Sequence, residues 1–197
     1  ISTQLSDSKL SWTAVGPGIL TIDGDGSSLI ATMLALGNDA HGELYLKNGA
    51  ELETDEGQVG VPLGWKDKAK TSKVEVSGDG SRWLLQRLLI PLNAGKKGEV
   101  WLRDGSDTGI SEKLQLVSGG ALHLVGGTLR IYAPFTKPTG TWDFASGTLK
   151  LYFDVGAQST GPLGSTINLG AGRYLVATSP MSLRFRCSDT ERFQSLL

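Results

Sequence analysis

Two histidines, one cysteine and several Asp-Gly turns are the residues of this 197-residue chain with chemistry to offer. General-base catalysis by histidine needs a nucleophile or a carboxylate beside the ring. His41 lies in the turn NDAHG and His123 in the strand-like run ALHLV, neither next to such a group. Both read as structural histidines. Cys187, in the alternating run LRFRC, reads as a packing thiol. The three lie in distant, unlike contexts and give no zinc-ligand spacing. Asp107-Thr108-Gly109 spells the aspartic-protease tripeptide, but that chemistry requires two carboxylates sharing a proton. The corresponding place in an earlier repeat holds Glu51-Leu52-Glu53. Asp23-Gly24-Asp25-Gly26-Ser27 has the look of a calcium loop. An EF-hand would need Gly and Glu where Ser28 and Leu34 stand. No nucleophile elbow or phosphate loop is present. The acidic residues would permit a glycosidase, yet sequence alone pairs no two of them. The chain is therefore expected to be non-enzymatic, with no catalytic residue, no metal and no cofactor.

The strongest internal signal is a duplication. Residues 20–36 and 42–51 read LTIDGDGSSLIATMLAL…GELYLKNGAE, and residues 74–90 and 98–107 read VEVSGDGSRWLLQRLLI…GEVWLRDGSD. The copies share GDGS, Leu34 with Leu88, and the frame Gly-Glu-apolar-aromatic-Leu-basic-Asn/Asp-Gly. Units of about 20–73 and 74–135 follow. A repeat-containing domain is expected over 1–135, a candidate linker over 136–147 and a C-terminal β unit with a tail over 148–197, either separate or packed into the same sandwich.

Glycine, at 27 residues, is about twice its usual share, and it separates short apolar runs, the mark of many strands and turns. ELYLK and EVWLR alternate, with Leu44, Leu46, Val100 and Leu102 predicted inward and Tyr45 and Trp101 outward. Each runs into Asn48-Gly49 or Asp104-Gly105, dipeptides that suit type I′ hairpin turns. LIATMLAL and WLLQRLLI admit a strand or a helix, and Pro91 favours strand. Glu51 to Glu56 followed by Lys66 to Lys73 reads as a loop with ends of opposite charge. Ser188-Asp189-Thr190-Glu191 resembles a capping box, so the last ten residues read as a short helix or an ordered docking arm, with a frayed tail as the alternative. The overall expectation is an all-β, antiparallel β-sandwich or jelly-roll-like fold.

The net charge of −1 argues against a nucleic-acid partner. No apolar run reaches the ~18 residues needed for a membrane-spanning helix. Trp65 and Trp142 stand in turn-rich contexts and are candidates for stacking on a sugar or burying a neighbour's edge. Tyr132, Phe135, Phe193, Leu196 and Leu197 complete the candidate contact residues.

The motifs GEVWLRDGSDTGISEKLQL, GTLRIYAPF, TGTWDF and INLGAGRYLV resemble small β-sandwich modules in accessory proteins of tailed bacteriophage virions. The resemblance is best over 98–186, and no catalytic residue carries over. It implies a decoration, head-fibre or tail component located in the virion. Its partners would be its own copies and neighbouring structural subunits. A glycan-binding adhesin or pilus-like module, secreted or on a cell surface, is the alternative.

Overall fold

A computed structural model describes residues 10–13, 18–37, 41–60, 71–92, 96–135, 138–153, 166–169, 172–177 and 184–187. For residues 10–13, 166–169, 177 and 184–187 the description is of the backbone alone. Among the described residues fourteen strands form, beginning with β1 (Leu10–Thr13), β2 (Gly18–Asp23), β3 (Ser28–Leu36), β4 (Gly42–Lys47), β5 (Glu51–Val59), β6 (Ser72–Ser77) and β7 (Arg82–Ile90). They continue with β8 (Gly98–Arg103), β9 (Asp107–Leu116), β10 (Gly120–Ile131), β11 (Thr141–Leu151), β12 (Thr166–Leu169), β13 (Arg173–Ala177) and β14 (Arg184–Cys187). Among the described residues there is no helix. The segment read as a C-terminal helix or arm, 188–197, lies outside them.

Among the described residues every strand pairing is parallel. The fold is a parallel β-solenoid of stacked coils, which corrects the antiparallel sandwich or jelly roll expected from sequence. Strands β2, β4, β6, β8 and the first halves of β10 and β11 stack as one side. Strands β1, β3, β5, β7, β9 and the second halves of β10 and β11, followed by β13, stack as the other. Parallel neighbours cannot be joined by a tight hairpin. Here the tight turn leads instead from one side of the solenoid to the other, and each strand meets its partner one full coil later.

The turns themselves have the expected character. Asn48 and Gly49 have φ of 54° and 85°, and Asp104 and Gly105 have φ of 51° and 80°. The turns close with Ala50 N–H donating to Lys47 O at 3.2 Å and Ser106 N–H to Arg103 O at 3.0 Å. What differs is the destination. The strand leaving each turn pairs with the coils above and below it, and the strand entering is left across the core.

Side-chain alternation builds that core. The column Leu20, Leu44, Val74, Val100, Leu122, Trp142 is in register along the first side. The chain length between successive members changes at every step, so the coil is an irregular repeat. One unit of the duplication seen in the sequence spans two coils, from Leu20 past Leu44 to Val74. A second column, Leu52, Trp83, Thr108, Leu129, Leu149, Leu175, runs inside the other side and is buried throughout. At the corner stand only small residues, Ser27, Ala50, Ser81, Ser106 and Gly127, because the chain turns there against the coil before it. The ladder crosses this corner unbroken: Glu51, Arg82, Asp107 and Thr128 N–H donate in turn to Ser27, Ala50, Ser81 and Ser106 O.

β5 and β7 bend at their middles, where Asp55 with Glu56, and Gln86 with Arg87, both point outward before burial resumes. That double step is why LIATMLAL and WLLQRLLI do not alternate cleanly. Both are strands, β3 and β7. The acidic run from Glu51 is likewise strand, with Leu52 and Thr54 buried between outward carboxylates. Residues 141–147 of the expected linker lie in β11, a strand that pairs with β10. No helix among the described residues is long and apolar enough to cross a membrane.

Candidate functional site

With hydrophobic residues turned inward, each outer side carries rows of polar and aromatic side chains separated by one coil. Adjacent strands lie roughly 4.8 Å apart, close to the separation between the centres of two stacked rings. Rows of like position therefore interact directly along the solenoid.

On the first side one row reads Thr21, Tyr45, Glu75, Trp101, His123, Asp143. Trp101 and His123 stack with ring centroids 3.8 Å apart and planes 10° from parallel. The Arg103 guanidinium carbon lies 4.2 Å from the Trp101 centroid, a position open to it only on the ring face opposite His123. His123 Nδ1 lies 3.2 Å from Asp143 Oδ2, and Trp101 Nε1–H donates to Glu99 Oε2 at 3.3 Å. Tyr45 O–H donates to Glu43 Oε2 at 2.6 Å. Lys47 Nζ and Lys73 Nζ lie 4.6 and 5.2 Å from the Tyr45 ring centroid. The Glu43 bond, then burial, then the charges of Glu43 and Glu75 push the Tyr45 phenol up to about 12. Sequence reading gave His123 no carboxylate partner. The parallel stack supplies Asp143 from the next coil.

On the other side the rows are stitched by ion pairs. Arg82 Nη1 lies 3.7 Å from Glu51 Oε1, Arg87 Nε 3.0 Å from Glu56 Oε2, and Arg130 Nη2 2.7 Å from Asp107 Oδ2. Each pair joins neighbouring coils. Asp107 of the protease-like tripeptide is thus a strut, while Thr108 is buried and Gly109 faces outward, toward Leu84 and Arg130.

Buried Gly109, which has no side chain, and the exposed Ser111 leave the coil formed by β8 and β9 low. Above it stand Leu84 and Gln86 of β7, and below it Arg130 and Tyr132 of the next coil. The result is an open trough of about 330 Å³ that reaches Glu53 and Asp55 of β5. Tyr132 stacks on Tyr152 of the following coil at 4.5 Å and 9°. With Tyr152 on one face, its other face is left toward the trough and the β9 coil of Ser111, whose preceding residue Ile110 accepts the Tyr132 N–H at 3.0 Å.

The residues singled out from sequence separate into three groups. Tyr132 is half-exposed and lines the trough. Phe135 is buried, 5.7 Å from the parallel ring of Trp142 and 5.8 Å edge-on to Phe153. Trp142 is partly buried, packing against the core with one ring face on Phe135. Trp65, Phe193, Leu196 and Leu197 lie outside the described residues. Sequence reading missed the trough, which depends on Gly109 and Ser111 falling in register with Arg130 and Tyr132. Among the described residues, no three His, Cys, Asp or Glu side chains converge as a metal site.

Comparison with protein families, curated proteins and solved structures returns no match.

Proposed function

We propose that this protein is a non-enzymatic structural component of a virion or surface assembly, acting through protein–protein contacts. One observation carries the reading: on both outer sides, charged and aromatic groups bridge successive coils. Glu51–Arg82, Glu56–Arg87, Asp107–Arg130, Trp101–His123 and Tyr132–Tyr152 each tie one coil to the next. Side chains used this way stiffen a rod along its axis, which suits a shaft or spacer that transmits position. Exposed ion pairs contribute little singly, but repeated along a continuous ladder they oppose the opening of any one coil. Solenoid ends also present strand edges, and an edge is a template for another chain.

Light scattering of the purified protein and negative-stain imaging with candidate particles test the proposal. Defined oligomers or decoration of a particle are expected. A strictly monomeric chain that attaches to no particle contradicts it.

A further inference from the structure

We propose that the trough over Gly109 and Ser111 is a binding site for a neutral saccharide, with Tyr132 as its stacking platform. The first support is a contrast between two outward-facing rings, one partly buried and one exposed. Trp101 has both faces covered, by His123 and Arg103. Tyr132 has one face on Tyr152 and turns the other to the open trough. A pyranose presents a face of polarised C–H groups, which meets the electron-rich face of a ring and not its edge. Tyr152 fixes the Tyr132 ring from behind, so little side-chain freedom is lost on binding.

The second support is the polar lining. Glu53, Gln86 and the two guanidiniums of Arg82 and Arg130 border the same trough. Carboxylate, amide and guanidinium together offer acceptors and donors to vicinal hydroxyls. The charge balance selects the ligand class. The lining holds two carboxylates, Glu53 and Asp55, against two guanidiniums. Each guanidinium already faces a further carboxylate, Glu51 or Asp107. No positive surplus remains for a uronate, a sialic acid or a phosphate. The volume is at the small end of the roughly 300–1,000 Å³ range of ligand pockets, and the site is open, so it suits one or two sugar units of a longer chain.

The test is an array of neutral and acidic oligosaccharides, followed by calorimetric titration with cellotetraose, mannotetraose, maltotetraose and trigalacturonate. A neutral oligosaccharide is expected to bind. Tyr132→Ala should weaken that binding about tenfold, while Tyr132→Phe keeps it. Ser111→Trp, at an exposed position, should fill the trough and abolish binding. Circular dichroism melting checks that the variants stay folded. Absence of binding at millimolar sugar, binding indifferent to both Tyr132→Ala and Ser111→Trp, or binding of trigalacturonate alone would each overturn the assignment. These readouts use the dispersed protein and are separate from the particle measurements that test the assembly role.

Discussion

The indole of Trp101 and the imidazole of His123, one coil apart in β8 and β10, lie face to face at 3.8 Å. Their strands are parallel and belong to successive turns of the solenoid, so the contact exists only if the chain coils. Stacked aromatic pairs contribute about 0.5–1.5 kcal/mol beyond area burial. A double-mutant cycle on Trp101→Ala and His123→Ala, read by urea unfolding, should give a coupling of about that size. Additive effects would remove this stack from the list of coil-to-coil ties.

Trp83 is fully buried, and its Nε1–H donates to Thr54 Oγ1 at 3.1 Å across the β5–β7 pair. Thr54→Val keeps the volume but leaves an indole donor without a partner. The cost should be about 1–3 kcal/mol by equilibrium unfolding. Trp83→Ala opens a cavity in the core and should cost about 3–5 kcal/mol. Leu84→Ala, on the outer side next to it, should cost much less.

Two glycines separate backbone strain from collision. Gly26 has φ +77° and open space where a Cβ would go, so Gly26→Ala should cost only the left-handed penalty, about 1–2 kcal/mol. Gly147 has φ +105°, and a Cβ there would collide with the Gly127 carbonyl oxygen and stand 3.0 Å from Gly127 N. Gly147→Ala should therefore lower the thermal midpoint more than Gly26→Ala does. Equal losses would mean that the β10–β11 corner is looser than described.

Tyr45 should titrate late. Its phenol is raised to about 12, chiefly by its bond to Glu43. Ultraviolet difference titration should resolve one tyrosine ionising well above pH 10, and Glu43→Gln should lower that value. The sign for stability follows from linkage: the folded state holds this proton more tightly than the unfolded state. The contribution is complete below the unfolded pKa near 10 and is lost as pH rises through about 12. Stability of the wild type should thus fall faster than that of Glu43→Gln across this alkaline window.

Much of the local structure was legible in the sequence. The inward placing of Leu44, Leu46, Val100 and Leu102, the turn chemistry of Asn48-Gly49 and Asp104-Gly105, and the duplication itself all stand. The pairing direction was not legible, for a physical reason. ELYLKNG describes a strand and a tight reversal equally well for a hairpin and for one corner of a solenoid. Strand direction is decided by which segment lies one coil away, and coil length changes at every step. A usable signal was present at half the duplicated length. LTIDGDG, LYLKNG, VEVSGDG, VWLRDG and LHLVGG repeat one frame of alternating strand and glycine turn. The site was harder still. Tyr132 could be named, but its platform depends on Tyr152 behind it and on the low β8–β9 coil in front.

The parallel stack is the premise for every tie and for the trough, and inter-coil disulfide trapping tests it most directly. Lys73 and Glu99 are register partners on β6 and β8 with outward side chains. Parallel neighbours lie about 4.8 Å apart, inside the roughly 4.4–6.8 Å Cα range of a disulfide. In a Cys187→Ser background, Lys73→Cys with Glu99→Cys should cross-link rapidly and within one chain. A hairpin through Asn48-Gly49 would instead pair residues 44 and 53. Cross-linking of Leu44→Cys with Glu53→Cys, and none between positions 73 and 99, would contradict the solenoid.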